Sequence, residues 1–198
     1  MGTTASVDLR RVILDTTRHL LVKEGYANLS MRKIARATGY SATSIYLYFR
    51  DKDDLFHALI EEGYEALNAT FKAIHHATAD VLDRFRQLCR AYLDFGLQNP
   101  EYYEIMFLLH PEHMARYPAD KFRKARQNLD VLAQTLTEGV QAGLFKVDNP
   151  RVWASTIWAS LHGTVSLMIA HRLDIRIDKD EFVETSLRHV VQGVQAPA

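Results

Sequence analysis

Hydrophobic residues recur every three or four positions along most of the chain, and runs that alternate hydrophobic and polar residues are almost absent. A period near 3.6 residues is that of an amphipathic helix, so the pattern predicts an all-α protein. Gly25 and Gly39 lie at the ends of periodic segments, where glycine commonly stops a helix. About nine helices are predicted, at residues 9–24, 31–38, 42–49, 52–75, 80–98, 100–109, 119–142, 150–171 and 179–194.

Polar residues that can cap a helix mark several of the predicted starts. Ser30 and Ser41 precede the two shortest segments, and Asp51 precedes a long one. Their side-chain oxygens can accept hydrogen bonds from the free amide groups of a first turn. Asp178 and Glu181 have the spacing of a capping box at the start of the last helix.

Residues 30–49 have the layout of a helix-turn-helix, with two short helices joined by a tight turn. Ala35 is small where the second short helix must cross the first, and Gly39 can adopt the positive φ that the turn requires. Ile45 is apolar where the second helix packs back on Ile34. A plain helical hairpin needs the same residues, so this spacing leaves two interpretations open.

The charge distribution favours the DNA-binding interpretation. The whole chain has no net charge, yet residues 9–50 hold eight basic and two acidic residues, a net of +6, whereas residues 51–198 sum to −5. Such an asymmetry predicts a polyanionic partner for the first part, although a chance fluctuation on a solvated face would look the same. Short side chains at Ala42, Thr43 and Ser44 would let the helix end approach the floor of the major groove. Arg36 and its basic neighbours can contact phosphates at the rim.

The run 13–62 resembles the DNA-binding domain of the tetracycline-repressor (TetR) family of bacterial regulators. The matching pieces are the first helix to Gly25, the segment 30–35, Gly39-Tyr40-Ser41, the Tyr-x-Tyr-Phe motif at 46–49 and the segment 52–55. The resemblance implies a nine-helix fold, a homodimer and a ligand-responsive C-terminal domain. It also implies a helix-turn-helix domain over residues 1–52 and an effector-binding and dimerisation domain over 53–198.

By position, the resemblance places several residues at double-stranded DNA. Ser41, Ala42, Thr43 and Tyr46 resemble residues that face the bases, and Tyr48 and Lys52 resemble residues on the backbone. Tyr40 occupies a place often held by valine, where a contact to a thymine methyl or a base is expected. The full set of predicted DNA-binding residues is Ser30, Arg32, Lys33, Tyr40, Ser41, Ala42, Thr43, Tyr46, Tyr48 and Lys52.

The C-terminal part predicts a site for a small apolar or aromatic effector. The runs 99–107 and 158–163 resemble a subclass of the family with a Trp-His-Gly signature. Residues 80–172 are rich in large side chains that can line an apolar cavity with a few polar tips, although an ordinary core would use the same residues. The predicted lining residues are Tyr103, Phe107, Trp158 and His162, and a connector at 110–118 could gate the site.

Two of the last helices predict a dimer interface. Ser155, Ala159 and Gly163 form a small-residue stripe that would let a partner helix approach closely. Apolar side chains on one face of the last helix complete the predicted interface: Leu187, Val191 and Val194. The alternative is that both helices pack inside one subunit.

Other features narrow the function classes. The single cysteine, Cys89, allows no intrachain disulfide. The chain has no signal-like start and no apolar run near the ~18 residues that a spanning helix needs, so a soluble cytoplasmic protein without a membrane partner is expected. His110 and His113 are three residues apart but lack evident further ligands, so no metal and no cofactor are predicted.

The sequence therefore predicts a homodimeric repressor that a small ligand releases from a palindromic operator. A second hypothesis is a DNA-binding regulator of the same fold without a small-molecule effector, controlled by a protein partner or by its abundance. An enzyme is the remote alternative, because no nucleophile elbow, Gly-rich phosphate loop or His-Glu-x-x-His helix occurs.

Overall fold

The computed structural model describes residues 8–109 and 119–196. Within these residues the chain forms nine α-helices, and its extended structure is limited to an isolated antiparallel bridge between Phe145 and Gln195. The predicted all-α fold is confirmed. The helices are α1 (Leu9–Glu24), α2 (Met31–Thr38), α3 (Ala42–Tyr46), α4 (Lys52–Ala77), α5 (Val81–Gln98), α6 (Pro100–Tyr103), α7 (Ala119–Gln141), α8 (Pro150–Ile169) and α9 (Lys179–Val194).

Two predicted helices end more than two residues away from the observed ends, and the other helix ends agree within two residues. The third was expected to reach residue 49, but α3 ends at Tyr46, where the Tyr48 amide donates to the Ile45 carbonyl and tightens the turn. The segment 100–109 was expected to be one α-helix. Instead, a π-helical turn over Glu104–Leu108 follows α6, with the Leu109 amide bonded to the Glu104 carbonyl at 2.9 Å. The predicted connector at 110–118, with His110 and His113, lies outside the described residues.

The chain divides into two compact units. The first contains the residues up to Gly63 together with 101–119, and the second contains 64–100 and the residues from 120 onwards. Helix α4 therefore contributes residues to both units, and the first unit is discontinuous in sequence. The functional division between residues 52 and 53 stays a prediction.

The first unit has its core between the short helices. Ile13 of α1, Ile34 of α2, Ile45 of α3 and Leu55 of α4 are completely buried. The burial of Ile34 and Ile45 agrees with the packing predicted from their spacing in the helix-turn-helix. Full burial of each such side chain contributes roughly 1.5–3 kcal/mol, so this small core fixes the arrangement of the short helices.

The second unit has a core formed by α5, α8 and α9, which pack against one another. Phe85 and Leu88 of α5, Val165 of α8 and Val194 of α9 are completely buried there. None of the helices among the described residues has the length and apolar character needed to cross a membrane.

Candidate nucleic-acid interface and effector site

The helix-turn-helix is held by two serine caps and one left-handed glycine. The Ser30 hydroxyl accepts the Lys33 amide at 3.2 Å, and the Ser41 hydroxyl accepts the Ser44 amide at 3.1 Å. Gly39 ends α2 with φ of +77°, a conformation that side chains with a Cβ rarely adopt. The capping and turn predictions made from the sequence are confirmed, and the second helix of the motif is α3.

Large aromatic side chains lie exposed around α3. Tyr40, Tyr46 and Tyr48 are between 40% and 54% exposed, and Thr43 is exposed at the start of the helix. Tyrosines with this much exposed area have an apolar body to cover and a hydroxyl to donate, which suits them to a binding surface. The geometry is therefore compatible with the predicted DNA-facing role of these residues, which stays a prediction.

Leu47 belongs to the same exposed surface, although sequence reasoning did not select it. Its side chain is 80% exposed, between Tyr46 and Tyr48. The signal was present in the spacing, because Ile45 and Phe49 are four residues apart and both buried, which leaves positions 46–48 on the outer side. A solvated leucine of this kind is typical of a contact surface rather than of a core.

The basic residues of this region differ in how freely they can reach a phosphate. Arg32 and Arg36 are exposed, and neither takes part in an ion pair with a described residue. Lys33 forms an ion pair with Glu24, which offsets its charge. The Lys52 ammonium lies 4.0 Å from the centroid of the Tyr26 ring and 3.5 Å from the Tyr26 carbonyl oxygen, and it forms no ion pair with a described acidic residue. Lys52 is therefore available to a phosphate. 

The predicted effector residues of α8 form one hydrogen-bonded cluster with Tyr92 of α5. The Trp158 indole donates to the Tyr92 hydroxyl at 3.0 Å, and that hydroxyl lies 3.4 Å from Nδ1 of His162. The rings of Trp158 and His162 have centroids 5.2 Å apart. Burial lowers the pKa of His162, so its imidazole is neutral at pH 7. The cluster combines apolar ring surface with neutral polar groups.

The other two predicted effector residues pack together in the first unit. The ring centroids of Tyr103 and Phe107 are 4.8 Å apart, and Tyr103 is completely buried. The four predicted residues thus form two pairs, one within each compact unit. Their role in binding an effector stays a prediction.

Asn128 is a buried polar residue that sequence reasoning missed. It lies on the buried face of α7 with Leu132 and Leu136, and neither atom of its side-chain amide has a hydrogen-bond partner. Leaving such a group buried and unpaired costs about 1–3 kcal/mol. The only signal in the sequence was an amide at a position of the helical repeat otherwise occupied by leucine.

The predicted small-residue stripe lies on the outer face of α8. Ser155, Ala159 and Gly163 are exposed, and Val152 and Leu167 extend the same face. The Ser155 hydroxyl donates to the Arg151 carbonyl at 3.0 Å, so its polar group is satisfied within the helix. The face therefore consists mainly of small and apolar side chains, with the exposed Arg151 at its N-terminal end.

The residues of α9 predicted at a dimer interface are placed differently. Leu187, Val191 and Val194 are buried inside the second unit, where they pack with α5 and α8. This is the alternative arrangement, with the last helix packed inside one subunit. Burial inside the subunit leaves these three side chains little surface for a partner, and their contact with a second chain stays a prediction.

The described residues contain neither a candidate metal site nor a reactive thiol. No group of three or more His, Cys, Asp or Glu side chains there could hold a metal ion. Cys89 is completely enclosed, and burial raises the pKa of its thiol well above the usual range, so it is unreactive as a nucleophile.

Two family models match the chain. One describes bacterial regulatory proteins of the tetR family and matches residues 13–59. The other describes a tetracyclin repressor-like C-terminal domain and matches residues 85–190, which is more than half of the chain. These models do not define a Trp-His-Gly subclass, so that finer assignment stays a prediction.

Curated relatives match mainly over part of their length. An uncharacterized HTH-type transcriptional regulator of Haemophilus influenzae is 31% identical over 96 residues, which are 48% of this chain and 51% of the relative. An HTH-type transcriptional repressor of Mycobacterium tuberculosis is 42% identical over 60 residues, 30% of this chain and 32% of the relative. The nucleoid occlusion factor SlmA of Vibrio cholerae is 29% identical over 101 residues, 50% and 52% of the two chains. The chain thus spans about half or less of the length of these relatives.

Solved structures match over nearly the whole chain. A protein of unknown function from Rhodococcus sp. RHA1 has a TM-score of 0.80 at 26% identity, covering 99% of this chain and 100% of that one. The fatty acid degradation regulator FadR from Bacillus halodurans has a TM-score of 0.76 at 21% identity, covering 95% and 97%. The second likeness shows the fold alone.

Proposed function

The chain belongs to the tetracycline-repressor family of DNA-binding transcription regulators, and from that premise we propose that it is a homodimeric repressor that a small ligand releases from a palindromic operator. The observation that carries the DNA-binding part is the exposed surface around α3, with three tyrosines and Leu47 in a segment without acidic residues. The short residues at the start of α3 read base edges in the major groove. Arg32, Arg36 and Lys52 contact phosphates.

The proposed dimer uses the outer face of α8. Small residues and the exposed Val152 and Leu167 leave apolar surface of this helix in contact with water, and a partner helix would cover it. The same face of two copies can pack together about a two-fold axis. Two recognition helices related in this way would read half-sites about one helical turn apart, at ~34 Å.

The proposed effector is apolar or aromatic and carries an uncharged polar group. The Tyr92–Trp158–His162 cluster supplies ring surface and neutral hydrogen-bonding groups, and the same compact unit contains Asn128, a buried amide without a hydrogen-bond partner. A charged ligand would need a buried counter-charge, which this cluster does not provide. Ligand binding can weaken DNA binding only by the difference between the ligand's affinities for the two conformations of the protein. This coupling free energy is typically ~1–3 kcal/mol.

A second candidate is a DNA-binding protein of the same fold without a small-molecule effector. The similarity to the nucleoid occlusion factor SlmA favours it, because that relative is named for a role other than operator release by a ligand. A fully packed second unit would also favour it, with control by a protein partner or by abundance.

Two substitutions test the DNA-reading part of the proposal. Thr43→Val should change which duplexes are preferred, because it removes a hydroxyl at the base edges. Tyr48→Phe should weaken all duplexes to a similar extent, because it removes a donor to the backbone. Equal effects of both variants on every sequence would contradict the assigned roles.

The effector part is tested by an apolar compound library in thermal-shift experiments, followed by operator release with the compounds that stabilise the protein. Trp158→Ala should abolish release and keep operator binding. A library without any stabilising compound, combined with unchanged DNA binding, would favour the second candidate.

A further inference from the structure

Glu101 and Tyr102 lie far along the chain from the helix-turn-helix but belong to the same compact unit. The family model for the DNA-binding domain ends at residue 59, whereas the first unit also contains residues 101–119. The two side chains are therefore not part of the DNA-binding segment as the family model defines it. Their contacts show what they do in the unit.

Tyr102 joins α1 to α4. Its hydroxyl donates to Glu62 of α4 at 2.5 Å, and the same carboxylate accepts a hydrogen bond from Nη2 of Arg11 at 3.1 Å. The guanidinium carbon of Arg18 lies 4.5 Å from the centroid of the Tyr102 ring. Two arginines of α1 are thus held by one phenol and one carboxylate.

Glu101 adds a second set of contacts to α1. Its carboxylate accepts a hydrogen bond from Nε of Arg18 at 2.9 Å and lies 3.2 Å from Nδ1 of His19. Asp15 lies 3.0 Å from Arg11 and 3.3 Å from Arg18, which links the two arginines. The carboxylates and guanidinium groups form one half-buried network. Ion pairs in such a network stabilise a structure more than isolated surface pairs do.

The segment is also fitted closely against α4. A Cβ atom at Gly63 would overlap Sδ of Met106 and come within 3.4 Å of the Tyr102 ring. The absence of a side chain at Gly63 therefore lets the π-helical turn lie directly on α4. Ion pairs with α1 and close packing against α4 therefore fix the segment 101–108 on two sides.

We propose that Glu101 and Tyr102 are positioning residues of the DNA-binding unit, and that they hold α1 against α4 in the arrangement that binds an operator. Helix α1 packs on α2, and α2 packs on α3, so a shift of α1 moves α3, the helix that is proposed to read the DNA. Tyr103 and Phe107 follow on the same segment, so the predicted effector residues of this unit are directly continuous with the network. This inference rests on the proposed DNA binding.

The coupling must act in both directions. If the segment 101–108 sets the arrangement of α1 to α3, then binding of DNA to α3 must stabilise the segment by the same free energy. Operator DNA should therefore slow amide exchange in residues 101–108, although these residues need not touch the DNA.

The test compares Tyr102→Phe and Glu101→Gln with Glu184→Gln in the intact dimer. The control removes a carboxylate that pairs with Arg90 in the second unit and changes the charge as Glu101→Gln does. We expect faster amide exchange in α1 to α3 without DNA and operator binding weakened about tenfold for the two test variants, with non-specific binding and the salt slope unchanged. The control should stay within about twofold of the wild type, and the DNA-induced slowing in 101–108 should be lost in Tyr102→Phe.

Three results separate the possible failures. If both test variants show wild-type exchange in α1 to α3 and wild-type operator affinity, the positioning role is overturned. An equal loss of specific and non-specific binding also overturns it, since that is the effect of general destabilisation. If the wild-type protein binds no duplex, the proposed function fails, while the exchange measurement still decides whether the two residues hold α1.

Discussion

Leu47 provides a direct test of the surface assigned to DNA. Leu47→Ala removes three carbon atoms from a side chain that is 80% exposed in the free protein. At about 0.8 kcal/mol per buried CH₂ group, covering these atoms contributes roughly 2 kcal/mol, and ordering the side chain on binding offsets about 0.5–1 kcal/mol. We therefore expect the variant to lose about 1–2 kcal/mol of operator binding, or about 5–30-fold in Kd.

Fluorescence anisotropy with a labelled operator, repeated over a series of salt concentrations, measures this loss. The slope of log K against log salt should stay the same, because leucine carries no charge and no phosphate contact is removed. Ile175→Ala is the matched control, since Ile175 is 100% exposed in the loop between α8 and α9. A change below about twofold in Leu47→Ala, or an equal loss in both variants, would refute a contact between Leu47 and DNA.

Three further predictions concern charge, assembly and pH. Arg36→Ala should reduce the salt slope by about one, and Lys33→Ala by less, because Glu24 already offsets Lys33; equal reductions would contradict this. Gly163→Arg should give monomers in sedimentation experiments, whereas Gln141→Arg on α7 should leave the dimer intact; a dimeric Gly163→Arg would exclude the α8 face. Burial lowers the pKa of His162 below 6.5, so the unfolded chain binds a proton at a higher pH than the folded protein does. The free energy of unfolding should therefore fall as the pH drops below that value. Urea unfolding at about pH 7.5 and 5.5 should show a smaller fall for His162→Gln, and an identical fall would contradict the assignment.

Local signals predicted most of the helices and the turn of the motif. The caps at Ser30 and Ser41 and the left-handed Gly39 depend on neighbouring residues only, so the sequence contains them directly. The π-helical turn after α6 was not predictable in this way, because its hydrophobic period resembles that of an α-helix. Its close contact with Gly63 depends on residues about forty positions apart.

Contacts between distant residues account for what the sequence did not predict. The apolar face of α9 is equally suited to a partner or to its own subunit, and the structure places it inside the subunit. The contacts of Glu101 with Arg18 and His19 join residues more than eighty positions apart, which no periodic pattern shows. Asn128 is inconspicuous in the sequence because an amide on a helix is ordinarily solvated.

Selection of random duplexes on the wild-type protein, followed by measurement of the binding stoichiometry, would show whether two copies of the chain bind one operator. We expect enrichment of a near-palindrome with half-sites about one helical turn apart, to which two chains bind with an affinity that falls as the salt concentration rises. No enrichment of any duplex at low salt, or a single chain bound to an asymmetric site, would contradict this expectation.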